Sequence, residues 1–110
     1  RHLGLIATFP ASLPPMQKEF HDLADQAGLD VTLETALADG AMDALARGDA
    51  AQHNRMIAGA ARQLAPCHAQ MLAQFSMAQA RPLILEFYDR PVLISPASAI
   101  AALKQGLSGK

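Results

Sequence analysis

The sequence predicts a three-layer α/β domain built on a four-stranded parallel sheet, and three observations carry that prediction. Short apolar strand-like segments alternate with helix-like ones along all 110 residues. The strand-like segments are nearly continuous in apolar residues, as expected where helices cover both faces of a sheet. No hairpin signal joins any two of them, so the connections run through helices.

The elements follow in order. "HLGLIAT" is short, β-rich and apolar, and Phe9-Pro10 closes it, so it reads as a buried strand entering a loop marked by Pro10, Pro14 and Pro15. From Met16 to Ala27 the apolar positions Met16, Phe20, Leu23, Ala24 and Ala27 keep helical spacing, and Gly28 is the stop signal. "DVTLE" is a second strand. Leu37, Ala41, Met42 and Leu45 give one face of a helix between Thr35 and Gly48. Asp49 is placed to cap the next helix, which carries Met56, Ile57, Ala60, Ala61 and Leu64 on one side and ends at Pro66. "HAQMLAQF" fits a third strand, "SMAQARPLILEFY" a helix disturbed at Pro82, "PVLIS" a fourth strand, and Ala97 to Leu107 a last amphipathic helix. The whole of 1–110 is one domain, expected to bury roughly two-thirds of its unfolded surface around a single modest core.

Composition excludes several partners. Nine Lys and Arg against ten Asp and Glu, spread without blocks, leave a net charge of −1 and no footprint for nucleic acid or an anionic membrane. No apolar run approaches the roughly 20 residues that span a bilayer, and no signal-peptide pattern is present. The single Cys67 rules out an internal disulfide framework and fits a reducing, cytoplasmic setting. The chain starts at Arg1, almost directly on an apolar strand, which raises the expectation of a preceding segment.

In an open parallel sheet, ligands bind beyond the carboxyl ends of the strands. Three such loops carry hydroxyls: Thr8 and Ser12 after the first strand, Ser76 beside Gln74 after the third, and Ser95 and Ser98 after the fourth. If Ser76 and Ser98 open helices, backbone N–H groups and helix dipoles converge on one crevice and favour a carboxylate or phosphate. The competing expectation is that each is an ordinary helix cap that binds nothing. The pattern gives no metal site: His2, His21, His53 and His68 are scattered, and Asp49 with His53 reads as a cap beside a surface histidine. Cys67 and His68 would point to opposite faces of the third strand, which separates them as a nucleophile–base pair, and Cys67 reads as a small buried hydrophobe. Neither a GxGxxG nor a Walker sequence occurs.

"LGLIATFPASLPPM", "LADGAMDALARGDAAQHNRMIAGAARQL", "LAQFSMAQA" and "RPVLISPASAI", in this order, resemble the second half of the aspartate/glutamate/hydantoin racemase superfamily. The resemblance covers nearly the whole chain. It implies a flavodoxin-like half of a two-domain protein, with a cofactor-independent, isomerase-like active site in the cleft between the halves and this chain forming one wall. The absent N-terminal half would supply the facing wall, and without it the exposed surface implies self-association. The family's chemistry pairs thiols from the two walls to move a proton next to a carboxylate. Gln74 stands where the second-half thiol belongs, and an amide does not exchange a proton near neutral pH, so symmetric two-thiol racemisation is not implied. Thr8, Ser76, Ser95 and Ser98 match positions that hold substrate oxygens. The resemblance therefore implies an enzyme of small carboxylic acids with its reactive cysteine upstream, alternatively a small-anion-binding module or an inactive fragment.

Overall fold

A computed structural model describes residues 2–73 and 75–104. Four strands, β1 (His2–Ala7), β2 (Thr32–Leu37), β3 (Ala69–Leu72) and β4 (Val92–Leu93), form one all-parallel sheet in the order β2-β1-β3-β4. Among the described residues, five α-helices flank it: α1 (Leu13–Gln26), α2 (Ala41–Ala46), α3 (Ala50–Gln63), α4 (Arg81–Leu85) and α5 (Pro96–Lys104). Short 3-10 segments, Pro10–Ser12 and Phe75–Ala80, precede α1 and α4. The three-layer α/β sandwich expected from the sequence is the fold observed.

The burial pattern explains the layers. After the exposed His2, every residue of β1 is buried, because the strand is central and helices cover both its faces. Leu3 and Leu5 join Phe20, Ala24, Met71, Ala99, Ile100 and Leu103 beneath α1 and α5. Ile6 and Leu72 belong to the opposite core with Ile57, Ala61, Leu64, Met77, Ile84 and Tyr88, beneath α2, α3 and α4. Gly4 is required by this packing: a Cβ there would lie 2.8 Å from Leu64 Cδ1 and 3.0 Å from Leu64 Cβ.

Several boundaries depart from expectation, each for a local reason. Pro14 and Pro15 lie inside the first turn of α1 rather than in a loop, where a missing N–H costs nothing and the fixed φ suits the helix. β2 runs on to Leu37, so the helix expected from Thr35 begins only at Ala41; Gly40, at φ 89°, makes the break. β3 ends at Leu72, and the segment expected as one helix divides into the 3-10 helix and α4, with Pro82 in the first turn of α4. The surface position expected for His53 is wrong: the ring is fully buried, because His53 continues the inner stripe of α3 one turn before Ile57. Asp49 caps α3 as expected, accepting from the Gln52 N–H at 3.0 Å.

Candidate functional site

The strand order reverses direction at β1: the chain passes from β1 outward to β2, then crosses back to β3 and β4. Loops after β1 and β3 therefore diverge to opposite faces, and the space above the carboxyl ends of those strands is where open α/β sheets hold ligands. Thr8 enters it directly from β1 and is 2 % exposed. A small open depression beside it, about 50 Å³, is lined by Thr8, Phe9, Asp39, Gly40, Met42 and Asp43. It lies on the β1–β2 side, next to the reversal point rather than over it. Phe9 stands at its rim with 46 % of its surface exposed, unusual for an aromatic ring in a small domain.

Ser95 and Ser98 come together beyond β4. Their hydroxyls are 2.8 Å apart, and Ser95 Oγ also accepts from the Ser98 N–H at 3.1 Å. Ser95 thus occupies the capping position of α5, and Ser98 lies in its first turn rather than opening the helix. Each hydroxyl keeps further hydrogen-bonding capacity, so a cap does not prevent the pair from meeting a ligand. Ser76 falls in the 3-10 helix after β3. Gln74, at the position matched to the family thiol, lies outside the described residues.

Cys67 occupies the other end of the sheet. Its Sγ–H donates to Glu34 Oε2 at 3.1 Å, and its carbonyl accepts from Tyr88 Oη at 2.7 Å and Arg90 Nη1 at 2.9 Å. Burial, the Glu34 hydrogen bond and the Glu34 charge push the thiol up to about 12, against an opposing effect of Arg90. A thiol held protonated is a poor nucleophile, and this one sits before β3 rather than after it. It cannot stand in for a thiol at the carboxyl-end crevice. The neighbouring His68 accepts from the His2 N–H through Nδ1 at 3.0 Å, so both residues serve the structure of the strand ends.

Among the described residues, no three His, Cys, Asp or Glu side chains cluster as a metal site, and no helix is long and apolar enough to cross a membrane. One buried group was missed by sequence reading: His53, whose Nδ1 lies 2.8 Å from Asn54 Oδ1 and whose Nε2 has no partner. The signal was present, since stepping back four residues from Ile57 along the apolar stripe arrives at His53.

Comparison with known proteins gives no match to a family model, to a curated protein or to a solved structure.

Proposed function

We propose that this chain forms one wall of a small-carboxylate crevice in an isomerase-like protein of the aspartate/glutamate/hydantoin racemase type. The observation that supports this most is positional. Thr8 and the Ser95–Ser98 pair, matched through the resemblance to substrate-holding positions, follow β1 and β4 at the carboxyl end of one parallel sheet. That is the end where open α/β sheets hold ligands. In this reading the hydroxyls and the N–H groups of the α5 first turn receive the carboxylate, and the proton-moving thiol comes from a facing upstream half.

A second reading, a non-catalytic small-anion module, is favoured by two residues. Gln74 is an amide at the thiol position, and Cys67, the one cysteine of the chain, is held protonated at the far end of the sheet. Both readings require an acid in the same crevice.

Titration of ¹⁵N-labelled chain with succinate tests that shared requirement. The amides of Thr8, Ser95 and Ser98 should shift together and saturate, with those of Cys67 and His68 unmoved. Shifts confined to the amino end, or none, would remove the crevice from consideration. Joined to an upstream half that carries a thiol, the Gln74→Cys variant then separates the readings: appearance of racemisation supports the enzyme, and binding alone supports the module.

A further inference from the structure

We infer that the outer edge of β2 is a homodimer interface: a second copy of this chain adds its own β2 antiparallel to the first, across a two-fold axis at Thr35. The two margins of the sheet differ in how they are protected. β4 is two residues long and follows Pro91 directly, so it offers little backbone for pairing. β2 is six residues long and keeps an unbroken register with β1 from Thr32 to Leu37, with no proline, lysine, arginine or bulge. Thr35, at its middle, is exposed, and Leu33 and Leu37 are only half-buried. This margin lacks the devices that usually keep an edge strand single.

Hydrogen bonds within the sheet fix which groups that edge presents. The Ala38 N–H donates to Ala7 O at 2.8 Å, so Ala38, Ala36 and Glu34 turn their backbone polar groups toward β1. The far side of β1 agrees: His2 O and Ile6 O accept from the His68 and Ala73 N–H groups, so even positions of β1 serve the β3 side and odd positions serve β2. Leu33, Thr35 and Leu37 therefore turn their N–H and C=O groups outward, where among the described residues no further strand lies. Side chains alternate in the same way. Leu33 packs toward the core beneath α1 and α5, which puts Thr35 and Leu37 on that face, while Glu34 lies on the other and accepts from the Cys67 thiol.

The strand is complementary to itself in one register. With Thr35 opposite the second copy's Thr35, Leu33 meets Leu37, Glu34 meets Ala36 and Leu37 meets Leu33. The outward groups then form closely spaced pairs that exchange about six hydrogen bonds. One face gains a threonine pair between two leucine pairs, and on the other each Glu34 carboxylate stands opposite a methyl rather than its own copy. Moving the axis to residue 34 sets Glu34 directly against Glu34, which like charge opposes. Moving it to residue 36 leaves Leu33 beyond the end of the partner strand. A two-fold arrangement also closes, because it leaves the short β4 of each copy at the outer margins of the joined sheet.

Sedimentation equilibrium of the chain over a wide concentration range tests this. The mass should rise from 11.6 kDa toward twice that value. Thr35→Lys and Thr35→Glu each set like charges across the axis, so either variant alone should stay monomeric, and an equal mixture of the two should recover the dimer. Thr35 is exposed and its backbone is not bonded to β1, so neither change touches the sheet's own ladder. A monomer at every concentration, a dimer that survives in either variant, or a mixture that stays monomeric would overturn the inference. Association through α5 would show itself as the second of these. Should a variant lose its circular dichroism, amide exchange in the unaltered chain decides. Raising the concentration must slow the amides of Leu33, Thr35 and Leu37 and leave those of Glu34 and Ala36, already bonded to β1, unchanged; any other pattern would count against the β2 edge.

Discussion

The two ends of the sheet are built on opposite rules. At the amino ends of the strands, polar groups from distant segments are tied to one another. The His68 N–H donates to the His2 carbonyl at 2.8 Å, the His2 N–H returns to His68 Nδ1, and the two rings stack. Tyr88 and Arg90 both hold the Cys67 carbonyl, Arg90 also reaches Pro66 O, and the Cys67 thiol donates to Glu34. At the carboxyl ends, by contrast, there is an open depression, an exposed Phe9, a pair of hydroxyls with capacity to spare and a buried imidazole nitrogen without a partner. The difference suits the proposed reading, in which polar ties among the described residues secure one end and a small carboxylate meets the hydroxyls of the other.

That contrast can be broken by substitution. The largest effect is expected from Gly4→Val, which drives a branched side chain into Leu64 and should cost about 2–3 kcal/mol in urea unfolding. Succinate affinity of the fraction still folded should be unchanged; a weakened affinity would mean that the two ends are coupled. Tyr88→Phe should cost about 1 kcal/mol, because Arg90 still serves the Cys67 carbonyl. Removing Tyr88 and Arg90 together should cost more than the sum of the single losses, since the carbonyl is then orphaned. On the other side, Asp49→Ala should also cost about 1 kcal/mol and raise amide exchange in the first turn of α3, around His53. An equal rise at Cys67 would erase the distinction between the ends.

A last effect is one of pH, and it arises at the amino end of the sheet. Burial raises the Cys67 thiol from about 9.0 to about 12 and pushes the Tyr88 hydroxyl upward from its ordinary 10.0. Both groups are neutral in the folded chain. The unfolded chain releases their protons first, so this stability is complete below pH about 9 and declines as pH rises toward the folded values. Urea midpoints should therefore fall between pH 9 and about 11. Cys67→Ala should flatten the first part of that decline, and Cys67 in the folded chain should resist iodoacetamide at pH about 8.

Most of the fold was legible because its signals are local. The apolar run of β1, the Asp49 cap and the stripe from Ile57 to Leu64 each name their element without reference to the rest of the chain. The errors came where one local signal competed with another. Pro14 and Pro15 read as loop although the first turn of a helix accepts them, and Leu37 fitted a helical face although Gly40 held the stronger break. The site was legible only in part. The hydroxyls after β1 and β4 could be placed from the order of elements, but the mutual bond of Ser95 and Ser98 depends on side-chain direction. The burial of His53 depends on how close α3 comes to the sheet, a distance set by residues far apart in sequence.

That closeness has a consequence of its own. The core beneath α2 and α3 is lined by Ala36, Ala38, Ala41, Ala58, Ala60 and Ala61, whereas the core under α1 and α5 uses Leu, Phe, Met and Ile more heavily. Alanine is at once the smallest apolar side chain and the strongest helix former, so the first layer gains intimacy between backbones at the expense of adaptability. Gln70 reaches a helix carbonyl only under such conditions. The two layers should therefore drift differently over evolutionary time: bulky residues can exchange with one another under α1 and α5, while beneath α3 an enlargement at Gly4 already collides with Leu64. Through that constraint, the face that carries His53 is the one whose shape inheritance would preserve most faithfully.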